Sequence, residues 1–158
     1  MIILGIDPGI ADTGFGIIKK DSDKFSAIEY GSIKTSKLDD LAKRLDALYK
    51  DITQLIKKHN PDKIAIEQLF FAKNTKTAIT VAQARGVLLL ASEQAGCETQ
   101  EFTPLQIKQA LTGYGKADKN QIQQMVKTIL KLDQIPKPDD AADALACAIC
   151  CAQTNNFI

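Results

Sequence analysis

Asp7 ends the apolar run MIILGI and is followed at once by Pro8-Gly9, and Glu67 ends the shorter run KIAI in much the same way. Near the other end of the chain, Asp140 and Asp143 stand three residues apart, which puts both on one face of a helix. Carboxylates at the tips of apolar strands need an explanation, because burying an unpaired one costs several kcal/mol or forces it to take up a proton. Four that converge also repel one another unless a cation neutralises them. Oxygen ligands without His or Cys select a hard ion, Mg²⁺ or in its place Mn²⁺. Two such ions about 3.5–4 Å apart can activate a water and stabilise the leaving oxygen of a phosphodiester. Plainer roles stay open for each acid. Asp-Pro-Gly is good turn chemistry, Glu67 can be an exposed strand end, and Asp139 or Asp140 can cap the last helix.

The elements that must position these acids follow from periodicity. Met1 to Ile6 reads as a buried strand, and TGFGIIKKD and FSAIEYGSIKT as two more, split by the polar turn KDSDK. Strands joined this closely form an antiparallel meander. Leu38, Leu41, Leu45, Leu48, Ile52, Leu55 and Ile56 then recur at three and four, an amphipathic helix ending near His59-Asn60-Pro61. The strand KIAIEQ, reached through a helix, is expected parallel to the first. Asp7 and Glu67 then emerge at one carboxyl edge, where open α/β sheets bind ligands. From about Lys76 to Ala95 a helix is apolar on more than one face, the pattern of a core helix or of one covered by a second subunit. CETQEFTP gives a last short strand, and Pro104 suits the first turn of the helix that follows. Lys119 to Leu132 reads as helical, and DQIPKPDD breaks the chain before the final helix AADALACAICCAQ. The fold class is α/β: a mixed five-stranded sheet with helices on both faces, in a single domain spanning residues 1–158.

Hydrophobic residues make up 45% and charged ones 25% of the chain, an ordinary globular balance, and the net charge of +1 by itself argues for no anionic partner. Its distribution says more. Between Leu105 and Leu132 lie Lys108, Lys116, Lys119, Lys127 and Lys131 against the single acid Asp118, a local surface suited to phosphate. No apolar run approaches the roughly 18 residues needed to span a bilayer, and no signal peptide is visible, so the expected location is the cytoplasm. Cys147 and Cys150 have CxxC spacing, but the only histidine is distant His59, so the cysteines read as small apolar residues on a helix. Gly9, Gly14 and Gly16 read as places where a nucleic-acid backbone approaches closely.

The segments GIDPGIADTGFGII, AIEQLFFAKN, AQARGV, GYGKADKNQIQQMV and DDAADALACAI, in this order, closely resemble the RuvC Holliday-junction resolvases of the ribonuclease H-like superfamily. The resemblance covers almost the whole chain. It implies a ribonuclease H-like fold and a crossover junction endodeoxyribonuclease, a homodimer that resolves four-way DNA junctions by paired symmetric nicks with two Mg²⁺ per active site. It places the catalytic and metal-binding carboxylates on Asp7, Glu67, Asp140 and Asp143, with Asp139 the rival of Asp140 because it lies four residues before Asp143 and faces it too. Lys108 and Lys119 match basic positions near the cleaved phosphate, with Lys119 also counted in the catalytic set. Phe70 matches an aromatic that stacks at the opened junction, carried by the FFAKN loop. Lys73, Asn74 and Arg85 are further candidates for DNA contact. By family analogy the RuvA-RuvB branch-migration complex is a partner, and no membrane is involved. Many relatives carry a further basic tail where this chain ends in uncharged QTNNFI, which leaves tail-dependent DNA contact in doubt. Two other readings fit the acids less fully: a ribonuclease H-like nuclease acting on RNA or an RNA–DNA hybrid, and a junction-binding protein that does not cleave. An actin-like kinase also carries a GIDPG-like turn, but it needs two domains.

Overall fold

The computed structural model describes residues 1–68 and 75–154. Strands β1 (Ile2–Asp7), β2 (Asp12–Asp21) and β3 (Lys24–Lys34) form the antiparallel meander. Helix α1 (Leu41–His59) returns the chain so that β4 (Lys63–Glu67) enters parallel to β1, with Ile6 opposite Ile66. Helix α2 (Thr75–Gln94) leads to β5 (Glu98–Phe102), parallel to β4, and the sheet order is β3-β2-β1-β4-β5. Helices α3 (Pro104–Thr112), α4 (Lys119–Ile129) and α5 (Asp139–Thr154) complete the described chain.

Each face of the sheet has its own apolar core. Leu4, Ile6, Ile17, Ile64 and Ile66 pack with Leu48, Ile52 and Ile56 of α1 and Leu88 of α2. Ile3, Ile18 and Ala65 turn the other way, toward Ile107 of α3, Val126 of α4 and Leu145 and Ile149 of α5. Side chains alternate along a strand, so Asp7 falls on the face of Ile3, and Glu67 on the face of Ala65. Both acids therefore point to the α5 side.

Helix α5 is the central helix of that side. Its residues from Ala141 to Ala152 are all buried except the half-buried Asp143, and most are alanine or cysteine. Small side chains on the helix meet missing side chains on the sheet. A Cβ added at Gly5 would lie 2.8 Å from the Ala148 backbone nitrogen, and one at Gly14 would lie 2.9 Å from the Asp140 Cβ. This revises the role expected for the glycines. The space beside Gly14 and Gly16 is taken by Asp140 and Leu145 of α5, and that beside Gly9 by Asp12 of its own turn, so none of it is open to nucleic acid. Cys147, Cys150 and Cys151 are buried small residues of the same helix, without disulfides.

Several element ends differ from the periodic pattern, and caps explain two of them. Leu38 has helical spacing but is 98% exposed, because Asp40 accepts from the Lys43 N–H and starts α1 after it. Helix α4 stops at Ile129 rather than Leu132, where Lys131 takes a φ of 54°. Helix α5 begins at Asp139, so that both Asp139 and Asp140 sit in its first turn. Among the described residues no helix is long and apolar enough to cross a membrane.

Candidate active site

The carboxyl ends of β1 and β4, the second turn of α5 and the N-terminal halves of α3 and α4 meet around one cleft of about 280 Å³. Asp7, Glu67, Asp143, Lys108 and Lys119 line it, with Pro104, Ile107, Ile122 and Ala146 as its apolar wall. Asp140 stands beside it, because carboxylate oxygens of Asp7, Asp140 and Asp143 lie within 4.8 Å of one another. Acids from opposite ends of the chain are thus brought together by the parallel β1–β4 pairing and by the close seat of α5 on Gly5 and Gly14.

Local sequence explains how each element arrives. Thr103 caps α3 in a reciprocal capping box with Gln106, with Pro104 in the first turn, which directs Lys108 one turn later into the cleft. Asp118 and Gln121 form the same box at α4, which makes Lys119 the first helical residue. The Lys119 Nζ lies 3.3 Å from Asp143 Oδ2 and 3.5 Å from Asp139 Oδ2. Asp139 is turned outward, with the Lys137 Nζ 2.7 Å from its Oδ1. The two acids that helical spacing alone leaves equivalent therefore separate: Asp140 joins the cluster, and Asp139 joins the lysines.

The electrostatics are those of a crowded, half-buried set of acids. Burial, together with Glu67, Asp143 and Asp140, pushes the Asp7 carboxyl up to about 8. Burial and then Asp143 push Glu67 up to about 7, against the opposing pull of Lys108 and Lys119. Asp143 is also raised, mainly by burial, though Lys119 works against it. Outside the cluster the direction reverses, and the hydrogen bond from Lys137 followed by the charge of Lys119 holds Asp139 below its usual range. For Lys119, burial pulls the ammonium down, but Asp143 and Asp139 outweigh it and the net shift is upward. Oxygen-only donors this close, without His or Cys, fit a hard divalent cation.

The other candidates fall elsewhere. Phe70, Lys73 and Asn74 lie outside the described residues. Arg85 is engaged within the fold: its guanidinium pairs with Glu101 of β5, and its Nε is buried without a hydrogen-bond partner. It ties α2 to β5. Sequence reasoning missed the apolar wall. Ile122 lies one turn after Lys119 on the same face, a spacing that could have identified it.

A mixed sheet in the order β3-β2-β1-β4-β5, with helices on both faces and acids gathered at the carboxyl edge of its central strands, is a ribonuclease H-like fold. The family model described as "Crossover junction endodeoxyribonuclease RuvC" matches residues 3–151. The chain is 56% identical over 157 residues to the crossover junction endodeoxyribonuclease RuvC of Clostridioides difficile (strain 630), covering 99% of this chain and 93% of that one. It is 52% identical over 158 residues to the protein of the same name from Caldanaerobacter subterraneus subsp. tengcongensis, covering 100% and 96%. Among solved structures, Thermus thermophilus RuvC in complex with Holliday junction substrate superposes with a TM-score of 0.94 at 33% identity, covering 99% of this chain and 96% of that one. The chain belongs to the RuvC family of crossover junction endodeoxyribonucleases.

Proposed function

We propose that this protein is a crossover junction endodeoxyribonuclease that works in the cytoplasm as a homodimer and resolves four-way DNA junctions by paired symmetric nicks, using Mg²⁺ at each active site. The observation that carries the reading is the convergence of Asp7, Asp140 and Asp143 oxygens within 4.8 Å, with Glu67 of the neighbouring strand lining the same cleft. Those four residues would hold the metal, with Mn²⁺ as a substitute. Asp7 and Asp143 belong both to the oxygen cluster and to the cleft lining shared with Glu67, so the four acids form one connected set of donors. Bound divalent metal supplies Lewis acidity at the scissile phosphate and lowers the pKa of the attacking water.

The chain's own groups do the rest. Lys119, held at the cleft mouth by Asp143, directs its Nζ protons toward the charge that develops on the phosphate oxygens. Lys108 of α3 adds a second positive group to the cleft lining. Ile107, Ile122 and Ala146 limit the water that reaches the site. Phe70 stacks at the opened junction, and the RuvA-RuvB branch-migration complex works beside the protein; both assignments rest on the family resemblance.

The dimer reading is supported by α2. Its Ala84, Leu88 and Ala91 are buried against the sheet, while Ile79 and Leu90 are 69% and 53% exposed with Ala82 and Gly86 between them, an apolar stripe at helical spacing on the opposite face. Two copies joined there present two active sites to one symmetric substrate.

The test compares a labelled four-way DNA junction, a linear duplex and an RNA–DNA hybrid, each with and without Mg²⁺. Paired nicks are expected in the junction alone and only with metal, and Asp7→Asn is expected to bind the junction without cutting it. Cleavage of the hybrid in preference to the junction would move the assignment to a ribonuclease. Undiminished cutting by Asp7→Asn would remove the proposed mechanism.

A further inference from the structure

A second groove, of about 370 Å³, opens next to the acidic cleft. Thr103, Pro104, Leu105, Lys108 and Gly115 line it, and its surface is mostly apolar. Pro104 and Lys108 also line the acidic cleft, so the two are continuous. Leu105 is 54% exposed there, and Tyr114, the residue before Gly115, is 58% exposed. A large apolar side chain exposed in a groove, with an exposed aromatic residue next to its lining in the chain, is unusual on a surface that meets only water.

The loop that carries Tyr114 is held rigidly. The Tyr114 N–H donates to Thr112 Oγ1 at 3.1 Å, that hydroxyl shares its proton between the Lys108 carbonyl at 2.8 Å and the Tyr114 carbonyl at 3.0 Å, and the Tyr114 carbonyl also accepts from the Ala117 N–H at 3.2 Å. Gly113 ends α3 with a φ of 69°. A Cβ at position 115 would collide with the Leu105 side chain, so the loop rests on Leu105 and forms one continuous surface with it. Four residues after Tyr114 comes Asp118, the cap of the helix whose first residue is Lys119. A contact made at Tyr114 is therefore placed in fixed relation to the catalytic end of the cleft. Exposed Lys116 and half-buried Lys108 give the groove the positive charge that a phosphate-linked ligand needs.

We propose that this groove seats the nucleoside next to the scissile phosphate, with its sugar and base against Leu105 and Tyr114, and that this contact sets the protein's preference for sequence at the cut. The inference rests on the nuclease reading above. An apolar groove with Lys108 in its lining and the exposed Lys116 and Tyr114 flanking Gly115 suits a nucleoside and its phosphate better than a second protein, for which the groove is small.

The experiment uses the full chain and a set of four-way junctions that differ only in the base pairs flanking the cut. Single-turnover cleavage is measured for the wild type, Tyr114→Ala, Tyr114→Phe and Leu105→Ser. In parallel, binding in EDTA is followed with 2-aminopurine placed on each side of the cut in turn. Both side chains are exposed, so the variants are expected to fold, with thermal melting as the check. Loss of the stack is expected to slow Tyr114→Ala by about 5-fold or more and to flatten the spread of rates among flanking sequences, while Tyr114→Phe keeps both. Leu105→Ser shifts the rates in the same direction, and the 2-aminopurine signal on one side of the cut shrinks in the alanine and serine variants. Variants with wild-type rates, sequence spread and 2-aminopurine signal would overturn the inference, as would a uniform loss of rate that leaves the spread unchanged. A wild type that cuts no junction overturns the nuclease reading instead, and the 2-aminopurine arm still reports on the groove.

Discussion

Removing the charge of Asp7 should destroy activity and stabilise the fold. Burial and three neighbouring acids raise this carboxyl from 3.8 to about 8, so the folded protein holds a proton there that the unfolded chain has released at neutral pH. The sign follows from linkage. A carboxyl whose folded pKa is raised makes the unfolded state the one with fewer protons, so stability is greatest below the unfolded pKa and falls as pH rises toward the folded one. At pH 7 the gap from 3.8 corresponds to a ceiling of ~4 kcal/mol, at ~1.4 kcal/mol per unit. Asn keeps the shape and never has to be protonated. Asp7→Asn should therefore melt higher than the wild type in EDTA, by about 2 kcal/mol or more at pH 7.5, or ~4–8 °C for a chain of this size. The advantage should shrink toward pH 4.5. Added Mg²⁺ should reverse the order, because metal stabilises only the fold that can bind it. Thermal melts followed by circular dichroism at three pH values, with EDTA or Mg²⁺, decide the matter. An Asp7→Asn protein no more stable than the wild type in EDTA at pH 7.5, or one whose advantage does not change with pH, would refute the view that desolvated acids at this site strain the metal-free fold.

Three further outcomes are expected. Lys119→Met should lower the cleavage rate at saturating protein by roughly 10²-fold, in line with loss of a positioned proton donor, while junction affinity measured by gel shift changes much less. Gly14→Ala should destabilise by about 1–3 kcal/mol in urea unfolding, because its Cβ would meet Asp140, and it should weaken Mg²⁺ binding in calorimetry by displacing that ligand. Ile79→Glu combined with Leu90→Glu should convert a dimer to a monomer in light scattering without lowering the melting temperature by more than a few degrees, since neither residue belongs to the buried face of α2.

What the sequence disclosed of this site, and what it withheld, divides by the range of the interaction. Asp7 and Glu67 were legible as neighbours because two local rules suffice: a strand reached through a helix pairs in parallel, and alternation sends the end of ILGID and the end of KIAIE to the same side. The pairing of Asp140 with Asp143 likewise needs only the helical repeat. Asp139 was not separable from Asp140 by any such rule, because residues three and four before Asp143 both face it. The separation depends on Lys137 and Lys119, which reach Asp139 from the preceding loop and from another helix. Glycine was misread for the same reason. Freedom at Gly14 and Gly16 was visible, but its use was not, since the atoms that fill the space belong to a helix more than a hundred residues further along the chain.

The same geometry explains why the acids are tolerated. Helix α5 could have been seated on the sheet with an apolar first turn, and the cleft would then have closed as an extension of the core formed by Ala65, Ile107, Ile122 and Ala146. Instead that core ends in carboxylates raised to about 8 and about 7, and Lys119 pairs both with the cluster acid Asp143 and with Asp139 outside it. A lysine at 3.3 Å from Asp143 offsets part of the repulsion without filling the space between Asp7 and Asp140. The group that offsets the repulsion among the acids must also be free to turn toward a phosphate. Its hold on Asp143 has to be weak, and the exposure of 55% at Lys119 is consistent with a pair that water screens and substrate can displace.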